Sequence, residues 1–305
     1  MNHLVAIVGP TATGKSQLAI RLAQQFNSEI ISADSRQIYS YMGIGTAKSG
    51  RQELALVPHH LIDIINPDQA FSLAEYQQIA YRAIDDIGKQ HKLPLLVGGS
   101  GLYVWAVLEG WGIPEVAPDT EFRQKLEEMA EKGETDALYW ELMEIDPVAA
   151  LRIDRRNVRR LIRALEVSRH TGAPISQLQA KEAPPFDALI IGLTAERKEL
   201  YRRIDLRVDK MIEQGLVDEV KKLVFLGYDF SLPAMSGIGY RQIGAFLRGE
   251  LTLESAVSQI KTETHRLVRR QYNWFRLTDE RIKWFDITKD IETEISRLVG
   301  QFISK

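Results

Sequence analysis

The sequence predicts a parallel α/β sheet of the phosphate-loop type, interrupted by an all-helical insertion. Three observations predict it. Near the start, the apolar run "LVAIVG" leads into "GPTATGKS" and then into a helical pattern. Up to about residue 110, strand-like and helix-like segments alternate, as they do where crossover helices join parallel strands. From Asp119 to about Pro185 every periodic segment is helical. The expected organisation is a split catalytic core, residues 1–118 and 186–305, with residues 119–185 as the insertion.

The elements follow in order. "LVAIVG" is apolar and β-branched, as in a strand buried on both faces. After the loop, Leu18, Leu22 and Phe26 recur at i, i+4 and i+8, one apolar helix face. "EIISAD" is expected as the second strand and "HHLIDII" as the third. "FSLAEYQQIAYRAIDDIGKQ" carries a capping box, Ser72 with Glu75, and a Phe71–Tyr76 staple. "LPLLVGGSG" is a further strand ending on glycines. In the insertion, Phe122, Leu126, Met129 and Ala130 share a face closed by Gly133. "DPVAALRI" opens with a cap and a proline at the first helical position. "NVRRLIRALEVSRHTG" ends at Gly172, and "KEAPPF" links back to the strand "ALIIGLTA". The remainder is mostly helical, with a last strand in "RIKWFDI".

The glycine loop carries the first chemistry. Gly9, Pro10, Thr11, Ala12, Thr13, Gly14, Lys15 and Ser16 spell GxxxxGKS between strand and helix, the context that motif requires. Two glycines let successive N–H groups turn inward toward phosphate oxygens, and the helix N-terminus adds partial positive charge. Lys15 supplies a point charge for the outermost phosphate, and Ser16 offers a hydroxyl to Mg²⁺. The loop reads a diphosphate; nothing in it reads a base.

Composition sets bounds. The chain has 305 residues, 45% apolar and 26% charged, which fits about two ordinary globular domains. No apolar run reaches the roughly 18 residues of a membrane span, and the N-terminus lacks a signal-peptide pattern. The absence of cysteine excludes disulfides and thiolate metal sites and fits a cytoplasmic protein. A net charge of −2 conceals strong segregation. Asp119–Asp146 holds ten acidic and three basic residues, net −7. Arg152–His170 carries seven arginines against Asp154 and Glu166, net +5; Lys261–Arg276 is net +4. Two basic blocks suggest a polyanion site, against the plainer reading of solvated helix faces.

Ligand-contacting residues of open parallel sheets gather at the carboxyl ends of strands. Asp34 leaves the second strand, and Ser100 follows the two glycines after the fourth. Each has a structural alternative, a turn cap for Asp34 and a helix cap for Ser100. Arg241, after Gly237 and Gly239, either completes a phosphate clamp or is a surface arginine. His59 and His60 lack metal-ligand partners and are read as structural.

"GPTATGKS", "ISADSRQIY", "GIGTAK", "PLLVGGSGLY", "DPVAALRI", "RALEV" and "GYRQ" occur in the order seen in the tRNA dimethylallyltransferases, and the chain resembles that family from Leu4 to about Trp274. Ser100 stands where many members carry threonine, so the hydroxyl is kept. The zinc finger of eukaryotic members has no counterpart, so the likeness is to the bacterial type. The resemblance implies that the loop holds dimethylallyl diphosphate with Mg²⁺, assisted by Arg241. It implies transfer of the prenyl group to N6 of the adenosine at position 37, beside the anticodon of tRNA. Asp34 would take the amine proton and Ser100 would assist the leaving oxygen. Asp34, Ser35, Arg36, Gln37, Ser100, Arg123, Arg159, Arg160, Leu161, Arg163, Arg266, Arg269 and Arg270 would meet tRNA. A monomer is expected. Three alternatives stay open at this point: a prenyltransferase of free adenine nucleotides, a small-molecule kinase using ATP, and a non-catalytic RNA-binding switch.

Overall fold

The computed structural model describes residues 2–304. The chain runs β1 (Asn2–Val8), α1 (Lys15–Gln25), β2 (Ser28–Ser32), α2 (Arg51–Leu56), β3 (His59–His60), α3 (Leu73–Lys89), β4 (Leu93–Val97) and α4 (Gly101–Leu108). Five helices follow: α5 (Thr120–Glu131), α6 (Thr135–Ile145), α7 (Pro147–Arg152), α8 (Val158–Thr171) and α9 (Ile175–Leu178). Then come β5 (Phe186–Thr194), α10 (Arg197–Glu213), α11 (Leu216–Phe225), a 3₁₀ turn at Pro233–Ser236, α12 (Tyr240–Leu247), α13 (Leu253–Trp274), β6 (Ile282–Asp286) and α14 (Glu292–Ile303).

Two compact units result. The first comprises the described residues up to Leu108 and those from Pro184 onward. Its six strands form one sheet in the order β3-β2-β4-β1-β5-β6, every pairing parallel. β2 and β4 are buried along their whole length, as strands covered on both faces must be. Leu18 and Leu22 of α1, Val5 and Ile7 of β1, Ile191 of β5 and Val299 of α14 share one core, with Phe26 at its edge. The expected third strand shrinks to His59–His60. Leu61 and Asp63 adopt positive φ, 61° and 55°, which breaks the pleat. The segment then turns to meet the backbone of Ile38 through the N–H groups of Ile64 and Ile65. The second strand likewise stops at Ser32, two residues short of Asp34. Ser72 caps α3 in the expected box with Glu75.

The second unit, Glu109–Ala183, is wholly helical. Asp146 caps α7 ahead of Pro147, Asn157 caps α8, and Gly172 closes α8 in the left-handed conformation at φ 69°. Leu138, Leu142, Leu161, Leu165 and Val167 make its core. The unit begins ten residues before the expected boundary at 119 because its entry and exit segments pair. Gly112 N–H donates to Ala180, Glu182 N–H donates to Gly110, and Trp111 bridges Lys181. Val116 joins the helical core.

Candidate active site

The glycine loop curls as its sequence requires. Gly9 sits at φ 129°, where a Cβ would meet the Leu193 carbonyl oxygen at 2.3 Å. Gly14, at φ 82°, opens α1. Thr13 Oγ1 donates to the Pro10 carbonyl at 2.9 Å and locks the curl. Lys15 Nζ donates to the same carbonyl at 2.6 Å. Loss of water around its ammonium, then the nearby Arg207, lower the Lys15 pKa to about 7, with Asp34 opposing. Cation beside cation with so little solvent is an environment that an anion would relieve.

Two cavities flank this loop. The first, about 500 Å³, is walled by the loop, Lys48, Arg202, Arg203 and Arg207. The second, about 570 Å³, has apolar walls from Ile204, Val208, Met211, Ile260, Leu267 and Trp274. Asp34, Thr11, Arg207 and Gln271 line both. Asp34 Oδ1 accepts the Arg36 N–H at 2.9 Å, so the carboxylate also shapes its own turn. Ser100 lines the second cavity, accepts the Ser35 N–H at 3.0 Å and lies 3.4 Å from the Ser35 hydroxyl. Its backbone carbonyl receives the N–H groups of Tyr103 and Val104, so it caps α4 as well. For both residues the structural and the chemical readings are compatible.

The remaining expected residues divide. Ser16 is exposed on the first cavity. Gln37 faces that cavity and accepts from Ser32 Oγ at 3.0 Å. Arg36 lines the second cavity and donates to the Pro233 carbonyl at 2.8 Å. Arg241 lines the second cavity and not the first, with its side chain 58% exposed, 3.9 Å from Glu263. The guanidinium beside the loop belongs to Arg207, whose Nη1 donates to Thr11 Oγ1 at 3.2 Å. Burial pushes its pKa down. Arg207 had one sequence signal: it falls at i+3 and i+7 on the apolar stripe Leu200–Ile204–Val208 of α10. On α13, Arg269 and Arg270 are exposed, and Arg266 pairs with Glu263.

In the helical unit, Arg123 and Arg163 are structural anchors rather than free cations. Glu166 is 2% exposed. It accepts Arg123 through two bonds at 2.7 and 2.8 Å, Arg163 at 2.7 Å and the Asp119 N–H at 2.8 Å. Arg163 also donates to the carbonyls of Val116 and Pro114. Burial pushes the Glu166 carboxyl up, but these donors outweigh it and hold it below its ordinary range. Leu161 is fully buried, and its side chain packs in the helical core. Arg159 and Arg160 are exposed. His60 pairs with Glu29 and His59 with the Val57 carbonyl, as structural histidines do.

Fold and site together define a phosphate-loop α/β protein, with a cationic cavity and a more apolar one that share a wall carrying a carboxylate. Residues 37–278 match the family model described as IPP transferase. A tRNA dimethylallyltransferase of Dehalococcoides mccartyi is 51% identical over 301 residues, covering 99% of this chain and 93% of that protein. One from a Roseiflexus species is 50% identical over 303 residues, covering 99% of each. Among solved structures, the full-length tRNA isopentenylpyrophosphate transferase of Bacillus halodurans superposes with a TM-score of 0.73. It is 41% identical and covers 99% of this chain and 96% of its own. A eukaryotic dimethylallyltransferase acting on tRNA gives a TM-score of 0.83 at 28% identity, covering 100% and 80%. The chain belongs to the IPP transferase family.

Proposed function

We propose that the chain transfers a dimethylallyl group from dimethylallyl diphosphate to N6 of the adenosine at position 37 of tRNA. The observation that carries this reading is the placement of Asp34 on the wall common to the cationic and the apolar cavity. A diphosphate on Lys15, Arg207 and the loop N–H groups would direct its prenyl carbon toward that wall. The bond between this carbon and the diphosphate oxygen breaks, and the oxygen takes the electron pair. The amine nitrogen forms the new bond and gives its proton to Asp34. Negative charge would grow on oxygens held by Lys15 and Arg207, and Ser100, on the second cavity, would donate to the bridging oxygen. The apolar walls keep water from an allylic carbon that gathers positive charge.

The exposed Ser16 hydroxyl beside Lys15 is a hard oxygen suited to Mg²⁺ riding on the diphosphate. Bound there, Mg²⁺ would neutralise the leaving group. An exocyclic amine inside an anticodon stack must be extruded to react. Exposed Arg159, Arg160, Arg269 and Arg270 are the cations free to track RNA phosphates. The chain is read as acting as a monomer. No described helix is long and apolar enough to cross a membrane, and a tRNA acceptor supports a cytoplasmic reading.

Mass spectrometry of tRNA after incubation with the protein, Mg²⁺ and dimethylallyl diphosphate tests this. One added C5H8 on an adenosine next to the anticodon is expected. Modification of free adenine nucleotides with tRNA untouched, or turnover of ATP alone, would overturn it.

A further inference from the structure

Gln271 is a polar residue where α13 buries its apolar stripe, in line with Ile260 and Val268. It is 7% exposed, and both halves of its amide are engaged. Oε1 accepts the Thr11 N–H at 2.9 Å, and Nε2 donates to the Gly99 carbonyl at 3.0 Å. Thr11 belongs to the loop leaving β1, and Gly99 to the loop leaving the adjacent strand β4. The strand ladder between them closes with Gly98 N–H on the Ile7 carbonyl at 3.1 Å. Beyond that bond, the amide clasps one loop to the other. A Cβ at Gly99 would stand 2.3 Å from Nε2, so the amide fills the space a side chain there would need.

The two clasped loops carry opposite ends of the chemistry. On one side, Thr11 takes the Arg207 guanidinium on its hydroxyl. On the other, Ser100 follows Gly99 and receives the N–H of Ser35, the residue after Asp34. Hydrogen bonds, joined by the Gly99–Ser100 peptide link, therefore lead from the phosphate loop through Gln271 to Ser100 and the backbone beside Asp34. An amide suits this place because one end accepts and the other donates; a carboxylate only accepts.

We propose that Gln271 is a positioning residue for the transfer. It fixes the phosphate loop against the loop that carries Ser100 and, through Ser35, against Asp34. The role rests on the prenyl-transfer reading above. Its physical basis is that displacing reacting groups by about 1 Å costs on the order of 10²-fold in rate.

The test uses the full-length protein with tRNA and dimethylallyl diphosphate. Gln271→Met keeps the length of the side chain and loses both bonds. Its kcat should fall roughly 10- to 100-fold, while its KM for dimethylallyl diphosphate and its affinity for pyrophosphate change little, because Lys15 and Arg207 remain. Gln271→Glu supplies a second signature. Protonated, the introduced carboxyl presents an acceptor and a donor where the amide did; ionised, it faces the Gly99 carbonyl with acceptors only. The ratio of its kcat to that of the unaltered protein should therefore rise as pH falls. Lys15, Arg207 and Arg270 favour the ionised form, and Asp34 and Glu263 the protonated one. Taking the ratio at each pH removes the pH dependence that the two proteins share. An unchanged kcat in Gln271→Met with only a lower melting temperature would make Gln271 a packing residue, as would a flat ratio for Gln271→Glu. If the unaltered protein leaves tRNA unmodified, the transfer reading fails and takes this role with it.

Discussion

Asp34 Oδ1 holds the Arg36 N–H, and the residue lines both cavities, where the proposed reaction would bring an acceptor amine. Asn at this position keeps an oxygen for the turn and cannot take a proton. Asp34→Asn should therefore fold normally and slow single-turnover transfer by about 10²–10⁴-fold; a near-native rate would leave Asp34 as a turn former only. Lys15 makes a pH prediction. Its lowered pKa of about 7 means that the free protein holds a mixture of charged and neutral Lys15 near neutrality. A bound diphosphate favours the charged form and raises that pKa. Pyrophosphate binding should thus take up a proton above pH 7, and little from this group well below it. Affinity should weaken as pH rises through 7. Calorimetry at pH 8 in buffers of different ionisation enthalpy checks this, and Lys15→Ala should remove the uptake.

At the scale of elements, α8 separates two kinds of arginine that its sequence does not distinguish. Arg163 faces inward to Glu166 and two carbonyls, whereas Arg159, one turn earlier, is exposed. Arg123 reaches the same buried carboxylate from α5. Arg123→Ala should cost about 1.5–3 kcal/mol, the range for hydrogen bonds to a charged group, read by urea unfolding, and leave the salt dependence of tRNA binding unchanged. Replacing Arg159 and Arg160 should do the reverse. The melting temperature stays, and the slope of log affinity against log salt falls by roughly 0.7–0.9 for each phosphate no longer neutralised. A steep slope retained in that double variant would remove α8 from the RNA surface. The depressed Glu166 carboxyl also fixes a direction with pH. Its stabilisation is full above the ordinary carboxylate pKa and disappears as pH falls through the lowered one. The helical unit should keep that contribution until the pH falls below the ordinary carboxylate range.

At the scale of the molecule, both cavities are built wholly from the first unit, and the helical unit has a core of its own. The segments that enter and leave the helical unit run side by side, with Glu182 N–H on the Gly110 carbonyl at 2.8 Å. Joining Gly110 to Glu182 through a short Gly-Ser linker should therefore leave the sheet folded and pyrophosphate binding near native. The same change should abolish transfer to tRNA, because Arg159 and Arg160 leave with the helices. A shortened protein that still modifies tRNA at a native rate would confine RNA recognition to α13 and the Asp34 loop.

The sequence by itself determined what local physics controls. Alternating apolar runs and helical faces specified the sheet and its crossovers, and GxxxxGKS specified a phosphate loop because glycines, strand and helix are contiguous. The caps Ser72 and Asp146 were legible for the same reason: each acts within three residues of itself. Asp34 and Ser100 could be singled out because strand ends are local features, even though their partners are not. Only the tertiary structure decided which charges meet which. It put Arg207 rather than Arg241 beside the loop, and turned Arg123 and Arg163 onto Glu166. It also set Gln271 between Thr11 and Gly99, 260 and 172 residues away along the chain. A periodic pattern tells which face of a helix is buried, but a polar residue on that face finds its partner across the fold, and nothing in the surrounding sequence encodes that distance.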